Sequence, residues 1–196
     1  MTPEAASPSL AEAVLEERIA RPLWFGTIAV IGSLLLTLSA KVSIGWPVPM
    51  TMQTFVVLVI GLSLGSRLAG ATVALYLVEG AVGLPVFAGT PERGIGLAYM
   101  AGPTGGYLAG FLVAAIVLGV LAERGWGRSV LSTLAAMAVG TVIIFALGLG
   151  WLAALIGVEP AIANGLVPFL VSEPIKIALA CAVMPLAWRL VRPGGG

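Results

Sequence analysis

Six stretches of this chain are long and almost uncharged: Leu23 to Ile44, Val48 to Leu64, Leu68 to Phe87, Gly105 to Leu121, Val130 to Ile156 and Gly165 to Leu190. A bilayer core about 30 Å thick is crossed by roughly 20 apolar residues in a helix. Backbone N–H and C=O groups in lipid must be satisfied internally, and a helix does so within one segment. Soluble domains carry about a quarter charged residues, whereas here 10% are charged and 59% hydrophobic. The breaks carry turn residues: Gly45-Trp46-Pro47, Gly65-Ser66-Arg67, Gly89-Thr90-Pro91, Gly125-Trp126-Gly127 and Glu159-Pro160. The pattern predicts an all-α membrane protein with six transmembrane helices in one bundle. Residues 1–22 read as a cytoplasmic N-terminal segment, 23–192 as a six-span substrate-binding membrane domain and 193–196 as a flexible C-terminal tail.

Basic residues orient the bundle. With the N-terminus inside, Arg18, Arg21, Arg67, Arg124, Arg128, Arg189 and Arg192 fall on the cytoplasmic side, against Lys41 and Arg93 outside. That bias follows the positive-inside rule and puts both termini in the cytoplasm. The first stretch holds Glu4, Glu12, Glu16 and Glu17 and lacks the long apolar core of a signal peptide. A short helix through Leu10 and Ile19 is expected there.

The sixth run carries Glu173 and Lys176, an i, i+3 pair on one helix face. Neither charge is tolerable against acyl chains, so both are expected to face the protein interior. Lys176 lies on the order of 16 Å from the outer end of its run at 1.5 Å per residue. The pair reads either as a ligand site reached from outside or as an ion pair joining helices, and burial alone does not make such a pair stabilising. Pro168, Pro174 and Pro185 predict kinks or local openings in that helix.

Other candidates collect on the same side. Gln53 follows the stiff Pro47-Val48-Pro49 approach and reads as a ligand contact or an interhelical hydrogen bond. The loop from Ala88 to Thr104 holds Glu92, Arg93 and Tyr99 and leads into Gly102-Pro103-Thr104-Gly105-Gly106-Tyr107, a glycine-rich ligand platform or plain turn. Glu79, mid-way along the third run, reads as a ligand acceptor, a counter-ion for Lys176 or Arg93, or a protonated acid. Lys41 reads as a snorkelling interface residue, and Trp24, Trp46 and Trp188 as an aromatic belt. Small residues at Ala29, Ser33 and Thr37, and at Ala136 and Gly140, allow close helix contact, internally or with a partner.

Exclusions are equally informative. The chain has no histidine and one cysteine, Cys181, which removes Ser-His-Asp and Cys-His chemistry, most zinc sites and a disulfide framework. No metal or cofactor is expected. A net charge of +1 argues against nucleic acid. No GxxxxGK[ST] loop occurs, so coupling to ATP has to come from another chain.

Three strings, Pro47-Val48-Pro49-Met50-Thr51-Met52-Gln53-Thr54, Gly83-Leu84-Pro85-Val86-Phe87-Ala88-Gly89 and Gly102-Pro103-Thr104-Gly105-Gly106-Tyr107, together resemble BioY, the biotin-specific S component of energy-coupling factor (ECF) vitamin transporters. The resemblance covers Leu23 to Arg192. It implies a bundle like that of ECF S components, capture of biotin from outside, and location in the bacterial cell membrane. Implied partners are biotin, lipid, a transmembrane T component and ATP-binding-cassette ATPases, with action alone or as a homo-oligomer as the alternative. The family's acidic-x-x-Lys pair maps onto Glu173 and Lys176, suited to the ureido ring of biotin. Where some members carry Arg after Gly-Gly-Tyr, this chain has Leu108, so Arg93 is the expected partner of the biotin carboxylate and Lys41 the second choice. Ala29-x-x-x-Ser33 is the nearest match to the family's Ala-x-x-x-Ala docking pattern. Substrate-binding candidates are thus Glu173, Lys176, Arg93, Gln53, Tyr107, Glu79 and Tyr99, with no catalytic residue. The rivals are an S component for thiamin or riboflavin and an intramembrane enzyme using Glu79 and Glu173 as acid and base.

Overall fold

The computed structural model describes residues 21–44 and 50–191. The expected helix near Leu10, Trp46, the Pro47–Pro49 approach and the tail lie outside those residues. Seven helices and a two-stranded ribbon make up the described part. Helix α1 spans Arg21–Lys41, α2 Gln53–Ala81, α3 Gly96–Met100, α4 Gly105–Glu123, α5 Val130–Ile156, α6 Val158–Gly165 and α7 Phe169–Val191. Strand β1 (Ser43–Ile44) pairs antiparallel with β2 (Met50–Thr51). Five helices, α1, α2, α4, α5 and α7, are long and apolar enough to cross a membrane.

The second and third apolar runs form one helical element, α2, broken at Gly65. Gly65 has φ 76° and ψ 168°, a region essentially confined to glycine. There the chain folds back on itself. In a straight helix Gln53 and Tyr76 would stand about 34 Å apart, yet the Gln53 side-chain amide donates to the Tyr76 hydroxyl at 2.7 Å. The two limbs, 53–64 and 66–81, therefore lie side by side.

Several boundaries differ from the sequence reading. α1 stops at Lys41 rather than Ile44 because Ser43 and Ile44 enter the ribbon. α2 begins at Gln53 rather than Val48 and ends at Ala81 rather than Phe87, with Gly83 (φ 97°) turning the chain. Pro160 does not break the chain, since it lies in the first turn of α6, where proline is tolerated. The break falls at Gly157, with φ 91°. The expected break before the last run instead holds a short helix, α6, and the run itself becomes α7, which starts at Phe169 rather than Gly165 and continues as one helix through Pro174 and Pro185 rather than opening there. α5 matches its expected range, started by a Ser129–Ser132 capping box.

The core lies where α2, α4 and α5 meet, around the fully buried Leu58, Leu62, Tyr76, Leu118, Met137 and Ile144. Backbones approach closely at Gly110, whose Cβ would stand 2.9 Å from Ile144 Cα, and the Leu58 and Leu118 side chains fill the place a Cβ would take at Gly140. Ala29, Ser33, Ala136 and Gly140 all point inward, so the small-residue faces serve internal packing. The outer faces are apolar: Leu38, Val142 and Ile175 are each more than 60% exposed, as expected for a lipid-facing surface. Trp188 is not a belt residue, being buried beneath the Arg128 guanidinium 4.7 Å from its ring.

Side-chain contacts sort the loops onto two ends. One end gathers Glu123, which accepts from both the backbone and the hydroxyl of Ser66 at 2.7 Å, and the Arg128–Trp188 stack. The other gathers Gln53, Lys41 with Thr90, Trp151 with Gly102, and Tyr107 with Gly165.

Candidate ligand-binding site

α7 turns its residues by helical periodicity. Glu173, Lys176, Ala180 and Met184 are buried while Val171 and Ile175 face outward. Lys176 Nζ lies 2.6 Å from Glu173 Oε1 and 2.8 Å from the hydroxyl of Thr54, on the first limb of α2. The same hydroxyl donates to Glu173 Oε1 at 3.0 Å. Neither charge faces lipid. The arrangement leaves chemistry unspent: of three ammonium N–H groups two are committed, and Glu173 Oε2 accepts nothing among the described residues.

Beside this triad lies a cavity of about 310 Å³, at the small end of ligand pockets, which run from about 300 to 1,000 Å³. Its polar wall comprises Thr51, Gln53, Thr54, Arg93, Thr104 and Asn164. Phe87, Tyr99, Tyr107, Phe111, Phe145 and Phe169 supply aromatic walls. Thr54 lines the cavity, and the ion pair stands one hydrogen bond behind it.

The lining side chains are held by their own contacts. Gln53 lines the cavity and joins the two limbs of α2 at once, and Tyr76 in turn donates to the Val86 carbonyl at 3.2 Å. Tyr107 donates to the Gly165 carbonyl at 2.9 Å and sets its ring edge-on to Phe145, which contacts Phe169. Tyr99 stacks on Phe87 with centroids 5.1 Å apart and donates to the Ala88 carbonyl at 2.8 Å. Burial pushes the Tyr99 phenol above its ordinary pKa, partly offset by the Thr104 hydroxyl and the Arg93 charge, so it stays a neutral donor at physiological pH. Arg93 reaches the cavity from the loop between α2 and α3, its stem lying over Gly89.

Glu79 is not brought to the cavity. Its carboxylate accepts from Ser33 on α1, while Lys176 pairs with Glu173 instead. Glu79 and Glu173 have separate partners on separate elements, which leaves no acid–base pair between them. Lys41 does not snorkel freely, because it donates to the carbonyls of Phe87 and Thr90. The candidates drawn from sequence omit Thr54 and Phe87, though both stand in the strings that carry the BioY resemblance, and Phe145 and Phe169, which in an apolar run look like any lipid-facing residue.

Fold and site together define a multi-pass helical membrane protein with a partly polar, small-molecule cavity near one end. The chain matches the profile of the BioY family over residues 16–193, and it belongs to that family. The biotin transporter BioY of Thermotoga maritima is 40% identical over 138 residues, covering 70% of this chain and 79% of that protein. The probable biotin transporter BioY of Pyrococcus horikoshii is 38% identical over 143 residues, covering 73% and 82%. The biotin transporter BioY of Rhizobium etli is 38% identical over 154 residues, covering 74% and 81%. The crystal structure of the S-component for biotin from an ECF-type ABC transporter shares the fold, with a TM-score of 0.74 at 23% identity over 91% of this chain and 96% of that one.

Proposed function

We propose that this chain binds biotin in the cavity and carries it inward across the cell membrane, as a transport protein and not an enzyme. Biotin has a ureido head with two N–H donors and one carbonyl, an apolar fused ring and chain, and a terminal carboxylate. The observation that carries the reading is the complementary inventory beside the cavity: a carboxylate oxygen on Glu173 and an N–H on Lys176 that are unused among the described residues, and the Thr54 hydroxyl between them and the space. Hydrogen bonds to ionised partners are the strong ones. Aromatic rings suit the middle of the ligand, with Gln53, Tyr99 and Tyr107 as neutral polar contacts. Arg93 takes the carboxylate.

In this reading the two limbs of α2 each cross the membrane, which makes six crossings with both termini cytoplasmic. Arg67, Arg124 and Arg128 then lie inside with Arg18, Arg21, Arg189 and Arg192, of which Arg18 and Arg192 fall outside the described residues. The cavity, at the end of Lys41 and Arg93, faces outward. Inward movement is coupled to ATP hydrolysis by partner ECF subunits, since this chain has no phosphate-binding loop of its own.

A biotin-auxotrophic bacterial strain lacking its own biotin transporter tests the transport claim. Expression of this chain, with or without a T component and its ATPases, is expected to restore growth on trace biotin. No rescue in either combination, with the protein present in the membrane, would refute it. For the carboxylate, Arg93→Ala is expected to weaken biotin by about 2 kcal/mol, roughly 30-fold, and a neutral biotin amide by far less. Equal losses in a titration of both ligands would remove Arg93 from that role.

A further inference from the structure

The cavity wall between α2 and α3 has little secondary structure of its own, and its carbonyls are held by side chains from three helices. Tyr76 of α2 donates to Val86 at 3.2 Å, and Tyr99 of α3 to Ala88 at 2.8 Å. Lys41, the last residue of α1, donates to the Phe87 carbonyl at 3.1 Å, the Thr90 carbonyl at 2.9 Å and the Thr90 hydroxyl at 3.1 Å. All three ammonium N–H groups are thereby used on one turn. Phe87 and Ala88 line the cavity, and Arg93 hangs from the same turn through its backbone N–H to the Gly89 carbonyl at 2.9 Å.

The helix that supplies this clamp is peripheral. α1 packs on α2 through Ala29, Ser33 and Leu36, while Leu34, Leu35 and Leu38 on its other face are at least half exposed. Lys41 therefore ties the cavity wall to an outer helix. Its bonds are charge-assisted and three in number, and unlike those of Tyr76 and Tyr99 they act from an exposed residue outside the core.

We propose that Lys41 is a positioning residue that sets how long ligand stays bound: a bound molecule leaves past the 87–90 turn only when the α1 clamp releases it. This rests on the cavity being the biotin site. It predicts faster release of charged and neutral ligand alike, because the ammonium touches the wall and not the ligand.

The test is release of radiolabelled biotin, and of labelled neutral biotin amide, from the purified full-length chain in lipid nanodiscs. Lys41→Met keeps the apolar stem and removes every donor, and it is expected to speed release of both ligands by roughly tenfold or more. Lys41→Arg, which keeps the donors, is expected to stay within about threefold of the parent chain. Release from Lys41→Met within about twofold of the parent overturns the proposal. Faster release of biotin with a parental rate for the amide also overturns it, since that marks an effect exerted through the carboxylate alone. Should Lys41→Met fail to fold, Lys41→Gln is expected to give an intermediate rate, and a parental rate there overturns the clamp. A parent chain that retains no biotin overturns the underlying reading of the cavity, whereas retention with an indifferent Lys41 overturns the clamp alone.

Discussion

Lys176→Ala is expected to weaken biotin binding about a hundredfold. The ammonium is the charge partner of Glu173 at 2.6 Å and the donor to Thr54 at 2.8 Å, with both charged residues about 95% buried. Deleting one partner of a buried pair costs about 3–5 kcal/mol, because the other charge stays behind uncompensated. Part of that loss falls on folding and part on the ligand, since the carboxylate left alone serves neither the helix contact nor the ligand. A share of about 3 kcal/mol on binding is roughly a hundredfold in Kd. Glu173→Gln keeps the shape and removes the charge, leaving Lys176 with a neutral acceptor, and is expected to do less damage. Isothermal titration of the folded variants separates the two. Parental affinity in Lys176→Ala would mean that the triad joins α2 to α7 and does nothing more.

Gly119→Ala is expected to lower the stability of the bundle by about 3 kcal/mol, the upper end for overpacking. A Cβ at Gly119 would stand 2.3 Å from the Ser66 backbone nitrogen and 2.4 Å from Ser66 Cα, so no side-chain rotation relieves the clash. The affected place is the reversal of α2 at Gly65, which sets the Gln53 limb against the Tyr76 limb. A fall in thermal melting temperature of the purified protein, with proportionate loss at saturating biotin, is the expected readout. An unchanged melting temperature would show that α4 and the turn can separate without cost.

What could be read in advance follows from the physics of lipid. Charges inside apolar runs are few and costly, so Glu173 and Lys176 stood out, and their inward orientation followed from solvation alone. Apolar length located α4 and α5 closely, because no tertiary contact competes with the need to satisfy backbone groups. Gly65-Ser66-Arg67 marked the reversal of α2 for the same reason. Glu79 obeyed the same rule yet led elsewhere, since its spacing gives no hint that Ser33 waits on α1. Lys41 was also misjudged. A cation at a helix end has water as an alternative, and only the folded loop reveals three acceptors in reach. Thr54 was hidden for the opposite reason, because a hydroxyl in a helix is satisfied locally and announces nothing until α7 is packed against it.

The most direct measurement is saturation binding of radiolabelled biotin to the purified chain, with competition by desthiobiotin, thiamin and riboflavin. Saturable binding at or below micromolar biotin is expected, displaced by desthiobiotin, which keeps both the ureido ring and the carboxylate, and untouched by the other two vitamins. Absence of saturable binding at micromolar biotin, or displacement by thiamin or riboflavin, would contradict the assignment of the Thr54–Glu173–Lys176 triad to a ureido ring.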